Sequence, residues 1–410
     1  MSNTSTTHLK KALVVLLVLI AGAVVWQYEN LTRLYRVVTL FKADQIVANF
    51  ARMPDIMLSE KIVRHSTPQP WPVKLRPPPA TYQWRGVEHS IAQFLDETVT
   101  TSLLVLNDGV IVHEEYRLGT ARNDLRISWS MAKSYLSAMF GIAIDTGAIG
   151  SIDEPINKYV PELIGTAYDG VPMRHVLNMA SGVEFDEDYL AFGSDINKMG
   201  RVLALGGSMD EFAASLQQRA RPPGTRRSYV SIDTHVLSMA LRKATGQSLQ
   251  EYFSIHLWSP MRTAGDAWYL TDGQGAAFAL GGLNMRTRDY ARFGEMFRNH
   301  GQWGDRQVVP ASWVRASTQP SAPPPVSETD PFGYGYQWWV PPRSDGDFFA
   351  GGIYGQFIYV SPATATVVVK TSAHRGFRND GNAGATIKAQ TIEMMRALAQ
   401  HYAVTASVVN

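Results

Sequence analysis

Hydrophobic and polar positions alternate with different periods along the chain. Residues 102–106 and 110–116 are aliphatic and β-branched runs flanking Asn107-Asp108-Gly109, a pattern that predicts a hairpin. A helical period follows over about residues 130–145, closed by Gly147 and Gly150. Residues 151–260 read mostly as helix, at 174–179, 208–217, 232–244 and 249–257, interrupted by the loop Pro222-Pro223-Gly224-Thr225. Another helix is expected over 287–299, with Asp289 in its first turn where the helix dipole favours negative charge. Short strands are then predicted at 334–340, 348–350, 356–360 and 366–370, and a helix over 385–402 ends the pattern. Strands at both ends of a helical middle imply an α+β class, with one sheet assembled from distant segments.

The N-terminal third has a different texture. An amphipathic helix is expected over residues 31–51, followed by a stretch with prolines at 68, 70, 72, 77, 78 and 79. Such a stretch serves as a semi-rigid spacer or as a wrapping segment. Residues 319–331, with prolines at 320, 323, 324 and 325 among them, predict a loop or lid. Upstream, residues 12–26 form an uncharged apolar run behind Lys10 and Lys11. A bilayer core asks for roughly 20 helical residues, so a membrane anchor needs help from interfacial Trp26 and Tyr28. Ala21-Gly22-Ala23 also suits a cleaved signal peptide, and a buried helix is the third reading. The first two place the protein in the cell envelope, either anchored in the inner membrane and facing the periplasm, or secreted. The expected organisation is an anchor or signal with its following helix (1–52), an extended segment (53–84), one catalytic domain (85–402) and a tail (403–410).

Composition narrows the chemistry. The 410 residues carry 38 basic and 36 acidic side chains, a formal net charge of +2, so no field points to nucleic acid. Cysteine is absent, which excludes disulfides, thiolate catalysis, cysteine-bound zinc and iron–sulfur clusters. No HExxH, GxGxxG, Gly-x-Ser-x-Gly or phosphate-cradling loop occurs, and neither a metal nor a cofactor is expected. The acidic run Glu184-Phe185-Asp186-Glu187-Asp188 lacks calcium-loop spacing and reads as a solvated loop.

One constellation stands out, Ser130-Met131-Ala132-Lys133. As letters, Ser-x-x-Lys means little in a chain of this length. Its surroundings give it weight, because Lys133 is the only charged residue between Ser128 and Ile144. A helix that apolar is buried, and a buried ammonium must be paired or lose its proton readily. Residues at i and i+3 share one helical face, so the amine can approach the hydroxyl. A desolvated lysine near neutrality can take the serine proton and create a nucleophile. The alternative is a lysine reaching out of a packed helix that a serine merely caps.

Ser130-Met-Ala-Lys133-Ser resembles the first motif of the serine β-lactamase and penicillin-binding-protein superfamily. Arg227-Ser-Tyr229-Val-Ser231 follows 99 residues after Ser130 and resembles its Tyr-x-Asn motif. Gly351-Gly-Ile353-Tyr354-Gly355-Gln356 resembles the C-terminal strand motif, and Asp289-Tyr-Ala-Arg-Phe-Gly294 is also similar. The nearest pattern is the 6-aminohexanoate-dimer hydrolase branch of class C-like serine hydrolases. The resemblance implies a β-lactamase/transpeptidase-like fold, an antiparallel sheet flanked by helices with a mostly helical subdomain. It implies Ser130 as nucleophile, Lys133 as base and Tyr229 as proton relay, with an oxyanion hole from the backbone N–H groups of Ser130 and Gln356. Tyr189, Ser231, Ile353, Tyr354 and Gly355 become substrate-binding candidates. Ser231 stands where asparagine is usual, and Ile353 where lactam-recognising members place a lysine. The expected substrate is therefore a small amide or ester rather than a penicillin. A cell-wall D,D-peptidase or esterase, and a membrane-anchored penicillin sensor without turnover, are the rival readings.

Overall fold

A computed structural model describes residues 35–379 and 385–407, with isolated positions before residue 35. Seven antiparallel strands form the main sheet. In chain order they are β1 (Thr100–Asn107), β2 (Val110–Tyr116), β3 (Gly333–Tyr334), β4 (Trp339–Val340), β5 (Phe348–Gly352), β6 (Gln356–Ser361) and β7 (Thr366–Ser372). Across the sheet the order is β3-β4-β5-β6-β7-β1-β2, so the first hairpin closes onto the last strand. Asp108 and Gly109 both have positive φ, at 47° and 73°, the primed turn that the Asp-Gly pair favours. The sheet and its helices follow the α+β, β-lactamase/transpeptidase-like expectation.

The helices that build the site are α1 (Ala132–Asp145), α2 (Ser231–Thr245), α3 (Thr287–Arg298) and α4 (Ala385–Ser407). Side chains alternate across a strand, and β7 uses both faces. Val367 and Val369 join the core under α3, while Val368 joins the core under α4 with Met394, Met395 and Leu398. Gly294 brings α3 close, since a Cβ there would lie 2.5 Å from Val367. Helix α4 is tied down by an ion pair. Arg396 Nε donates to buried Asp347 at 2.9 Å, and the Tyr359 hydroxyl donates to the same oxygen at 2.8 Å. Removing one partner of a buried pair leaves an uncompensated charge. Arg396→Ala is expected to cost about 3 kcal/mol, read as a lowered midpoint in urea denaturation.

A second sheet runs Ser59–Ile62, Ala267–Leu270, Leu283–Met285 and Arg126–Ile127. Its last strand feeds directly into the turn that carries Ser130. The Pro-rich stretch wraps rather than spaces. Ile111 N donates to Pro72 O, and the amides of Lys74 and Arg76 donate to Ile111 O and Val112 O. The stretch thus covers the outer edge of β2, which would otherwise present unpaired backbone groups.

Several elements differ from the pattern. The helix expected over 31–51 breaks: residues 35–39 are helical, 40–45 are turns and Ile46–Asn49 forms a short helix. Asn49 Nδ2 donates to Leu40 O at 3.0 Å, closing the turn that the helical ladder would have continued. The strand expected at 334–340 divides at Gln337, whose φ is 64°. The helix Asp195–Leu205 was not foreseen. The apolar run at 12–26 falls for the most part outside the described residues. Among those described, no helix is long and apolar enough to cross a membrane.

Candidate active site

Ser130 sits in a single 3-10 turn, Trp129–Met131, that precedes α1. The helix therefore begins two residues later than its period suggested. Trp129 has a φ of +42°, an unusual conformation for a bulky residue and one that surrounding structure must hold. Three aromatic rings hold it: Phe41, Phe50 and Tyr354 lie 6.0, 5.5 and 5.7 Å from the indole. The early segment at 40–50 is thus part of the support for Ser130.

Lys133 lies one turn further on and is 1% exposed. Its Nζ donates to Leu280 O at 2.9 Å and stands 5.4 Å from the ring centroid of Tyr229. Desolvation lowers its pKa to about 7, against the opposing charges of Glu187 and Asp233. The bond to Leu280 occupies an N–H of the amine and leaves the lone pair of its neutral form free. Tyr229, just ahead of α2, stacks on Trp339 with centroids 5.6 Å apart. Burial raises the Tyr229 pKa, while the neighbouring Ser130 hydroxyl opposes that rise. The phenol is therefore a neutral proton donor at neutral pH.

Sequence reasoning missed two carboxyls. Glu187 was read as part of a solvated loop, yet only Glu184, Asp186 and Asp188 face solvent. Glu187 turns inward between Phe185 and Tyr189, and it accepts the backbone N–H of Ser231. Burial raises its pKa, with Lys133 opposing. The period-two spacing of Phe185, Glu187 and Tyr189 is the signal that could have found it. Asp233 lies in the first turn of α2 and accepts from the Tyr168 hydroxyl at 2.7 Å. Burial raises its pKa to about 8. One amine thus faces two acids in a dry setting, and their protonation states depend on one another.

A cavity of about 420 Å³ opens over this group. Ser130, Glu187, Tyr189, Tyr229, Gly352 and Ile353 line its reactive end. Lys133 lies beneath it. Four of the sequence candidates stand elsewhere. Ser231 is buried under Glu187, and Tyr354 faces away, stacked on Phe41 at 5.3 Å. Gly355 occupies a turn with φ 88°. Gln356 does not line the cavity: its side chain donates to Ser372 O at 2.7 Å and accepts from Ser372 N at 3.1 Å.

The strand end nearest Ser130 is Gly352, where a Cβ would lie 3.1 Å from Ser130 N and 2.6 Å from Ser128 O. The backbone that approaches Ser130 is thus Gly352–Ile353. Gln356 pairs opposite Gly352 across the β5–β6 turn, which carries it off the cavity. Among the described residues, no group of acids and imidazoles is arranged to hold a metal.

Comparison with known proteins places the fold in a family. The beta-lactamase family profile matches residues 87–391. A 6-aminohexanoate-dimer hydrolase from Paenarthrobacter ureafaciens is 31% identical over 294 residues, covering 69% of this chain and 75% of that protein. A Bacillus anthracis structure, provisionally described as a 6-aminohexanoate-dimer hydrolase, superposes with a TM-score of 0.78. It is 23% identical, covering 88% of this chain and 95% of the other. A D-stereospecific amidohydrolase from Streptomyces sp. shares the fold at a TM-score of 0.54 and 15% identity, covering 72% and 92%. With the family profile spanning residues 87–391 and the fold in agreement, the chain belongs to the beta-lactamase family, among its serine hydrolases.

Proposed function

We propose that the protein hydrolyses small linear amides or esters through an acyl-enzyme on Ser130. The observation that carries this reading is the dry Lys133 amine, brought near neutrality by burial and placed one turn from Ser130 below an open cavity. In this scheme neutral Lys133 takes the proton of Ser130 Oγ as the oxygen attacks the substrate carbonyl carbon. The N–H groups of Ser130 and Ile353 receive the developing oxyanion, a role reassigned here from Gln356. As the carbonyl re-forms, the bond to the leaving nitrogen or oxygen breaks, and Tyr229 supplies the leaving group with a proton drawn from Lys133. Water then attacks the acyl-Ser130 ester and yields the proton to the same pair, releasing acid and free serine.

A fluorophosphonate probe followed by peptide mass mapping tests the nucleophile. Modification of Ser130, together with turnover of p-nitrophenyl butyrate, supports the reading; labelling without turnover supports the sensor instead. No cation stands at Ile353 to receive a lactam carboxylate, so nitrocefin is expected to be turned over negligibly beside the ester. Rapid Ser130-dependent nitrocefin hydrolysis would refute the substrate class.

The charge of Glu187 raises the Lys133 pKa. Glu187→Gln removes that charge, so neutral lysine is populated at lower pH. The acidic limb of kcat/KM is expected to move to lower pH, and an unmoved or alkaline-shifted limb counts against the assignment of Lys133 as base. An envelope location is also proposed, resting on the basic-then-apolar pattern at residues 10–26. Recovery of the full chain only in the cytosolic fraction would overturn it.

A further inference from the structure

The end of the cavity away from Ser130 has a chemistry of its own. Arg227, Asp330, Ser327 and Lys388 line it, together with the aromatic faces of Trp339 and Phe377. Asp330 is fully engaged there: Oδ2 accepts from Arg227 at 3.0 Å and Oδ1 accepts Phe332 N at 3.1 Å. Arg227 also donates to Phe332 O at 2.7 Å, and its backbone bonds the proline loop at Pro324 and Val326. The second cation, Lys388 on the first turns of α4, has no hydrogen-bond or ion-pair partner among the described residues. It rests 3.9 Å from the Trp339 ring centroid and 5.2 Å from that of Phe332. Two cations and one committed carboxylate therefore leave this end with a surplus positive charge in an aromatic setting.

We propose that Lys388, backed by Arg227, receives a carboxylate at the far end of a linear amide or ester substrate whose carbonyl lies at Ser130. The inference rests on the hydrolase reading above and names the substrate class within it. An ammonium against an indole in a partly dry pocket is held by the ring, and an arriving carboxylate adds the charge-assisted hydrogen bond it lacks. Burial lowers the Lys388 pKa to about 8, with Asp330 opposing, so the group remains mostly cationic at pH 7. Trp339 meets both Lys388 and Tyr229, so only a short run of carbons separates the bound carboxylate from the reacting carbonyl. The aromatic walls suit that run.

The test is binding rather than turnover, so that it stands apart from the acyl-enzyme chemistry. Full-length Ser130→Ala protein is titrated calorimetrically at pH 7 and low salt with 6-acetamidohexanoate and with its methyl ester. The carboxylate is expected to bind at least about tenfold tighter, a difference of about 1.4 kcal/mol. Lys388→Met in the same background is expected to erase the preference, and Lys388→Arg to keep it. Equal affinities, no carboxylate-dependent binding at millimolar ligand, or a preference that survives Lys388→Met would each overturn the inference. Wild-type ester hydrolysis alongside any of these would leave the Ser130 chemistry standing. A preference for the carboxylate without hydrolysis would instead overturn only the catalytic reading.

Discussion

Lys133→Met is expected to lower kcat/KM for p-nitrophenyl butyrate by about 10³-fold, within the range that loss of a positioned general base produces. Methionine keeps the length and apolar stem of the side chain, so the dry site under Tyr229 stays filled. What disappears is the amine that donates to Leu280 O one helical turn on from Ser130. The wild-type profile supplies the second readout. Lys133 accepts a proton only when neutral, and burial lowers its pKa to about 7. The free-enzyme rate should therefore rise with pH through about 7, and this limb should vanish in the variant. A Lys133→Met protein that keeps both the rate and the acidic limb would remove the amine from the mechanism.

Gly352→Ala is the other large effect. Its Cβ would be placed 2.6 Å from Ser128 O and 3.1 Å from Ser130 N, both of them backbone atoms. Main chain cannot rotate aside as a side chain can, so β5 must withdraw from the Ser130 turn. Withdrawal separates the two N–H groups assigned to the oxyanion. Loss of one such donor costs about 10²–10³-fold in kcat, and a loss of that order is expected here. Thermal melting separates this from general damage: a variant with a near-native melting temperature and a kcat reduced a hundredfold supports the assignment. Retained kcat in a folded variant would place the oxyanion elsewhere.

These two positions differ in how visible they were before the fold was known. Lys133 was legible because a single charge in a run such as Trp129 to Ile144 has to be accounted for energetically. The Asp108-Gly109 hairpin was legible for a similar reason, since its backbone conformation is a local preference of those residues. Gly352 was not singled out. Three glycines, Gly351, Gly352 and Gly355, lie within a few residues of one another, and only the β5–β6 register decides which amide faces Ser130. That register is the reason the proposed oxyanion donor moves from Gln356 to Ile353.

Glu187 was hidden by its neighbours. An acidic run looks solvated, and the alternation that turns one carboxylate inward depends on the Ser231 amide, 44 residues away in the chain. The aromatic support of Trp129 has the same character. Phe41 and Phe50 come from a segment read as one helix, and their role rests on contacts made across about 80 to 90 positions.

The amino-acid order alone therefore determined the strand and helix periods, the primed hairpin turn and the buried Ser130–Lys133 pair, because each follows from interactions between near neighbours. The tertiary structure decided which backbone approaches Ser130, which carboxyls lie beside Lys133 and where Lys388 meets the cavity. Those outcomes depend on strand register and helix docking, which bring together groups that no local preference connects.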